Sequence, residues 1–219
     1  MKRKCITEIM KLSAAYIKTN AADCCWNGVR TAVFRYGSAG SADYNDECML
    51  GMRDMTMAIA GHAGWTIRPL NEQETDLLNE FLYLAIFVPE GVEQPEQSIV
   101  ELPELQIYIK EFGRQKGDFC LLAEHGHSVV GAVWVRLMHD YGYIDDRTPS
   151  LAVSLRPAYR NQGIGTALLT AMMRKLKADG VHSVSLSVQK ANRAVNLYRR
   201  LGFVTVRETD EEFIMKAEL

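Results

Sequence analysis

The run Arg156-Pro157-Ala158-Tyr159-Arg160-Asn161-Gln162-Gly163-Ile164-Gly165-Thr166 puts cations, two closely spaced glycines and a helix start into one short turn. Gly163 and Gly165 carry no side chain, so an oxyanion can approach the backbone N–H groups that the first turn of a helix leaves unpaired. The helix dipole adds about half a positive charge there, and Arg160 adds a full one. This is the physics of a diphosphate cradle, although two glycines alone can simply permit a tight turn. A Walker loop would need Gly-Lys-Ser/Thr after four intervening residues, and none occurs. A dinucleotide fingerprint would need a third small residue where Leu168 stands. It would also need an acidic residue about twenty positions on, where the chain reads His182-Ser183-Val184-Ser185-Leu186. Both nucleotide readings fail. Tyr198 is a second chemical group, on a helix face with Ala194, Val195 and Leu201. Its phenol can be core packing. Asn192 is placed to cap that helix.

These residues need a strand, a turn and two helices to position them. Leu151-Ala152-Val153-Ser154-Leu155 reads as an apolar strand, and Ile164, Leu168, Met172 and Leu176 recur every fourth residue in the helix after the turn. Lys175 and Lys177 suit that helix's C-terminal end, and Gly180 can close it. Trp65-Thr66-Ile67-Arg68 reads as a short strand. Asn71 can cap a helix carrying Leu77, Leu78, Phe81, Leu82 and Ala85. Pro103 suits the first turn of another, with Leu102, Leu105, Ile109 and Phe112 as its apolar positions. Residues 119–123 and 129–138 form a hairpin about Gly126, and residues 150–155 complete a meander. Strands followed by a helix and another strand predict a layered α/β domain over 65–219. Residues 1–64 differ in character. Ile6, Ile9, Met10, Tyr16 and Ile17 fall at helical spacing, a turn-rich stretch occupies 37–41, and a second helix is expected over residues 47–60. Met49, Met52, Met55 and Met57 there make either an adaptable binding face, a soft-metal site or mobile packing.

Arg160-Asn161-Gln162-Gly163-Ile164-Gly165 fits the pattern Arg/Gln-x-x-Gly-x-Gly/Ala. With the downstream run from Asn192 through Tyr198 to Phe203, the chain from Trp65 onward resembles the GCN5-related N-acetyltransferase (GNAT) family. The resemblance implies a mixed, mostly antiparallel sheet flanked by helices, preceded by a mainly helical extension. It implies that backbone groups of Val153, Ser154 and Leu155 hold the pantetheine arm of acetyl-CoA, with the Leu155 amide toward the thioester carbonyl. It implies that Arg160 and the amides of Asn161, Gln162, Gly163, Ile164, Gly165 and Thr166 hold the diphosphate. It further implies that Asn192 contacts the cosubstrate and that Tyr198 protonates the departing thiolate. The reaction so implied is acetyl transfer to an amine by direct attack in a ternary complex, with no metal. The acceptor, a small molecule or a peptide, is not legible, because this fold shares its cofactor half and varies its acceptor half. The competing function is an acyl-CoA-binding sensor or interaction module with little catalysis.

An amine of lysine-like pKa is neutral at roughly one part in a thousand near pH 7.4, so a proton must be removed. Relatives in the family often carry a glutamate on the strand before the asparagine helix, or an acidic residue at the start of the pantetheine strand. Here those places hold Ser183, Ser185 and Ser187, and Ser150. The base is left open among Asp145, Asp146, Glu101, Glu104 and a water chain through serines. Trp134 and Arg136 share a strand face, and either line an acceptor pocket or pack and solvate respectively. His125, His127 and His139 lack a third ligand at metal spacing, which favours exposed turn histidines. Five cysteines, an odd number without C-x-x-C spacing, fit reduced thiols rather than a zinc site or a disulfide scaffold. The adjacent pair Cys24-Cys25 reads as packed thiols, a redox pair or ligands. The 219 residues are 47% hydrophobic and 24% charged with a formal net charge of −2, so no bulk positive field recruits nucleic acid or an anionic membrane. Met1-Lys2-Arg3-Lys4 leads into no uninterrupted apolar core, and no run approaches the ~18 apolar residues of a span. The expectation is a soluble cytoplasmic protein. Residues 1–64 would cover the acceptor cleft, pair two chains into a homodimer, or extend the core.

Overall fold

The computed structural model describes residues 64–219. The helices, turn-rich stretch and methionine cluster expected in 1–63, with Cys5, Cys24, Cys25 and Cys48, lie outside the described residues. Strands β1 (Trp65–Pro69), β2 (Phe119–His125), β3 (Ser128–Arg136), β4 (Ser150–Leu155), β5 (Ser183–Gln189), β6 (Val204–Glu208) and β7 (Glu212–Glu218) form one sheet. Its order is β1-β2-β3-β4-β5-β7-β6, and β4–β5 is the one parallel neighbour pair. Period-two patterning gives the sheet two apolar faces. Leu121, Val133, Val135, Leu151, Val184, Leu186 and Val188 pack with Ile164, Leu168 and Met172 of helix α3 (Ile164–Ala178) and with Val195 and Tyr198 of α4 (Ala194–Arg200). Cys120, Leu122, Ala132 and Trp134 pack the other way, under Leu78, Phe81 and Leu82 of α1 (Leu77–Ala85) and Leu105 of α2 (Pro103–Gln106). The expected mixed, mostly antiparallel sheet with flanking helices is therefore the fold.

Two helices differ locally from expectation. Asn71 opens a separate 3-10 turn, Glu72–Glu74, in which its N–H donates to the Glu74 carboxylate (3.1 Å), and α1 starts only at Leu77. The helix at Pro103 lasts one turn. Its successor carbonyls, Ile107 O and Lys110 O, accept Nη1 of Arg136 at 3.0 and 2.9 Å, and Glu111 turns left-handed at φ 51. Leu105, Ile109 and Phe112 are buried all the same, so the apolar pattern survives where the helix does not.

The centre of the sheet is where it opens. The register of β4 with β5 consists of Ser150 opposite Ser185, and beyond it the strands part. On its other edge β4 is fully paired with β3, Gly131 opposite Leu155 through Arg136 opposite Ser150. Gly131 is required there, because a Cβ would run into Leu155 Cδ2 and approach Leu168 Cδ1 and the Ser154 carbonyl at 3.3 Å.

Candidate active site

The cradle is built by β4, a 3-10 turn (Pro157–Tyr159) and the start of α3. Arg156 holds the turn against α1 through an ion pair with Glu80 (2.8 Å). Asn161 (φ 61) and Gly163 (φ 82) then take the left-handed conformation, bringing the chain sharply into α3. The buried side chains of Ile164, Leu168, Leu169, Met172 and Leu176 fix the helix to the sheet, each worth about 1.5–3 kcal/mol. Among the described residues, no hydrogen bond takes up the backbone N–H of Asn161, Gln162, Gly163, Ile164, Gly165 or Thr166; the first bond of the helix is Ala167 N–H to Gly163 O (3.0 Å). Six consecutive donors thus stand unpaired at a positive helix end. Arg160 is turned back toward β4, with Nε donating to Leu155 O (3.1 Å), and Gln162 donates to Ala158 O (2.8 Å).

The open edge of β4 continues the cradle. Arg156 N–H donates to Val130 O (2.9 Å). Bonded pairs alternate in an antiparallel ladder, so Leu151, Val153 and Leu155 turn their backbone groups toward β5. Past the Ser150–Ser185 bridge, Val153 and Leu155 have no ladder partner there among the described residues. Ser154 is turned the other way: its backbone faces β3 opposite Ala132, and its hydroxyl donates to Phe81 O (2.7 Å). Of the three strand residues expected to hold an arm, Val153 and Leu155 are so oriented and Ser154 is not. Gly165 lies where β4, α3 and α4 meet, since a Cβ there would touch Leu155 (3.4 Å) and Leu197 (3.9 Å).

Tyr198, next to Leu197, is buried against Phe203, with ring centroids 5.8 Å apart. Its hydroxyl has no hydrogen-bond partner among the described residues, and burial pushes the phenol up to about 12. Asn192 caps α4, its Oδ1 accepting the Ala194 N–H at 2.9 Å.

The remaining candidates separate clearly. Glu101, Glu104 and Asp146 are exposed, and Asp145 uses its carboxylate on the Arg147 N–H (2.9 Å). Sequence reasoning missed two other carboxylates, Asp140 and Glu212, which are 5% exposed each. Asp140 accepts Ser150 Oγ (2.6 Å) and Tyr108 OH (2.8 Å), while Glu212 accepts Ser187 Oγ (3.1 Å). No local spacing signals them, because each contact joins elements distant in sequence. Arg136 is neither solvated nor available to an acceptor. It is 1% exposed and doubly bonded to Asp118, Nε to Oδ1 at 2.8 Å and Nη2 to Oδ2 at 2.7 Å. A charge in that apolar face is tolerable only when fully paired. Trp134 packs under α1 and α2. His139 stacks on Tyr143 and His125 leans on Tyr159. No group of three or more potential metal ligands occurs among the described residues. Cys120 is buried, and desolvation pushes its thiol far above the ordinary range. No helix among the described residues is long and apolar enough to cross a membrane. A recess of about 930 Å³ beside Ile107, Glu111 and Leu137 shares no residue with the cradle.

Comparison with known proteins agrees with this geometry. Residues 82–203 match the model of the acetyltransferase (GNAT) family. A mycothiol acetyltransferase of Pseudarthrobacter chlorophenolicus is 29% identical over 126 residues, 57% of this chain and 39% of that protein. Another, from Frankia casuarinae, is 31% identical over 156 residues, 65% of this chain and 42% of that protein. The chain therefore spans about two fifths of the length of these curated relatives. The fold is shared with the PaiA N-acetyltransferase of Thermoplasma acidophilum, solved in complex with coenzyme A. The TM-score is 0.51 at 20% identity, covering 71% of this chain and 99% of that one. With more than half its length matched, and with the parted strands and glycine turn in place, the chain belongs to the GNAT acetyltransferase family.

Proposed function

We propose that this protein transfers an acetyl group from acetyl-CoA directly to the amine of an acceptor within a ternary complex. The six unpaired amides of residues 161–166 at the start of α3 carry the reading. They match a diphosphate in charge and donor number, and they run straight into the open edge of β4. Acetyl-CoA supplies an acyl group activated as a thioester. Backbone groups of Val153 and Leu155 hold its arm as a strand would be held. The Leu155 N–H faces the thioester oxygen, where a positioned donor contributes a few kcal/mol as negative charge develops. Tyr198, protonated throughout the neutral range, donates to the departing sulfur. Cys120 is too deeply buried and too weakly acidic to relay the acyl group covalently, which supports direct attack. Asn192 orders the start of α4 and thereby Tyr198.

Titration calorimetry with acetyl-CoA, followed by a thiol-release screen of amines, tests this reading. The panel comprises mycothiol-type amines, spermidine, glucosamine and alanine-terminated peptides. Saturable binding with turnover of at least one amine is expected. Binding without turnover of any amine would favour an acyl-CoA sensor, and absence of binding would refute both.

A further inference from the structure

Attack on a thioester needs a neutral amine, and the two faces of the parted strands are not equivalent. Leu151, Val153 and Leu155 belong to the face that holds Tyr198. Ser150, Ala152 and Ser154 point to the face of α1, where Ala152 packs and Ser154 reaches Phe81 O. Ser150 stands at the last β4–β5 contact, where the gap begins. Its hydroxyl donates to Asp140 Oδ1 at 2.6 Å, and Tyr108 fixes the other carboxylate oxygen at 2.8 Å. The Asp140 loop lies directly on β5, since a Cβ on Gly142 would come within 3.0 Å of the Leu186 and Ser187 backbone.

We propose that Ser150 and Asp140 form a proton relay that deprotonates the acceptor amine from the face of the sheet opposite Tyr198. The proposal rests on the acetyl-transfer reading above. An acceptor ammonium gives a proton to Ser150 Oγ as the Ser150 proton passes to Asp140 Oδ1. The freed nitrogen lone pair forms the N–C bond, and the C–S bond breaks with its electron pair on sulfur. Sulfur takes the Tyr198 proton. Asp140 gives the first proton up to solvent, the surplus proton on nitrogen then leaves by the emptied relay, and Tyr198 recovers one from solvent. Ammonium and thioester thus become amide, thiol and one released proton.

Burial holds the Asp140 carboxyl above the usual carboxylate range against the lowering effect of the Ser150 and Tyr108 hydrogen bonds. That strengthens it as a base. Tyr141 and Glu212 lie within electrostatic range of Tyr108, the partner of Asp140. Glu212, bonded to Ser187, is the control carboxylate on the same face.

The test compares wild type, Asp140→Asn, Ser150→Ala and Glu212→Gln with two kinds of nucleophile. One is hydroxylamine, already unprotonated at neutral pH; the other is spermidine or glucosamine, which are cationic. Acetyl-CoA affinity, measured on each sample, reports an intact fold. Asp140→Asn is expected to slow transfer to the cationic amine about 10²-fold or more at pH 7. Transfer to hydroxylamine should stay within about threefold, and the defect should shrink as pH rises. Ser150→Ala should show the same selectivity, and Glu212→Gln should not. Infrared spectroscopy should show an acid carbonyl band that disappears as pH rises and is missing from Asp140→Asn. Equal losses with both nucleophiles, or the selective loss in Glu212→Gln alone, would overturn the relay. So would a wild type that acetylates hydroxylamine but neither cationic amine. Failure to bind acetyl-CoA would instead refute the acetyl-transfer reading itself.

Discussion

Replacing Tyr198 with phenylalanine removes one oxygen and little else. The ring keeps its contact with Phe203, and the lost hydroxyl has no hydrogen-bond partner among the described residues. Unfolding free energy should therefore change by less than ~1 kcal/mol. Turnover is a different matter. The phenol is pushed up to about 12, whereas an ordinary thiol ionises near ~8.5. At ~1.36 kcal/mol per unit, full proton transfer to an already formed thiolate would run uphill by about 4.8 kcal/mol. A sulfur anion in the same dry surroundings is raised as well, as the Cys120 thiol is in this chain, and the gap narrows. The proton consequently passes late, as the C–S bond breaks, and the tyrosine acts largely as a hydrogen-bond donor to growing charge. The expected loss lies at the low end for a general acid, about 10²-fold in kcat, or ~2.7 kcal/mol. Acetyl-CoA affinity should stay within about threefold. Thiol release under saturating acetyl-CoA, with calorimetric affinities for the same samples, measures both. A second arm uses an acetyl thioester of a more acidic thiol, for which the defect should shrink. Unchanged turnover, or turnover and affinity falling together, would show that Tyr198 only packs.

Asp118→Ala strands the Arg136 guanidinium in an apolar face, with the Ile107 and Lys110 carbonyls as its remaining partners. A loss of about 3–5 kcal/mol is expected in urea unfolding. Gly163→Ala meets no atom within 4 Å but must hold φ 82, so it should cost about 1–2 kcal/mol and weaken acetyl-CoA binding in calorimetry. Gly131→Ala displaces Leu155 from its seat on β3. It should cost about 1–3 kcal/mol and lower acetyl-CoA affinity, whereas an alanine at the open Gly126 turn should leave affinity unchanged. Asp140 has its folded pKa raised. Its contribution to stability is present below the unfolded carboxylate value and is lost as pH rises through the folded one. Thermal melts across the acid range should show that decline in wild type and not in Asp140→Asn.

The apolar strand, the glycine turn and the four-residue repeat of α3 were legible because each is a local pattern with one physical cause. Gly163 adopts a left-handed φ, and Ile164, Leu168, Met172 and Leu176 are buried. The parting of β4 from β5 is a relation between strands, so residue type encodes neither it nor the turning of the Ser154 backbone toward β3. The pairing of Arg136 is invisible along its own strand because its partner, Asp118, lies eighteen residues away across a hairpin. The two buried carboxylates go unseen for the same reason. Ser150 and Ser187 look unassisted on their own strands, and only the fold brings Asp140 and Glu212 to them.

A sheet whose fourth and fifth strands share a single paired position is mechanically two plates joined at a seam. Any guest that bonds to the main chain along that seam completes the missing rungs, so occupancy stiffens the whole molecule rather than one pocket. Amide exchange along β4 and β5 should slow together on loading, and a chain that loses its guest should regain its give at the midline before its outer strands loosen.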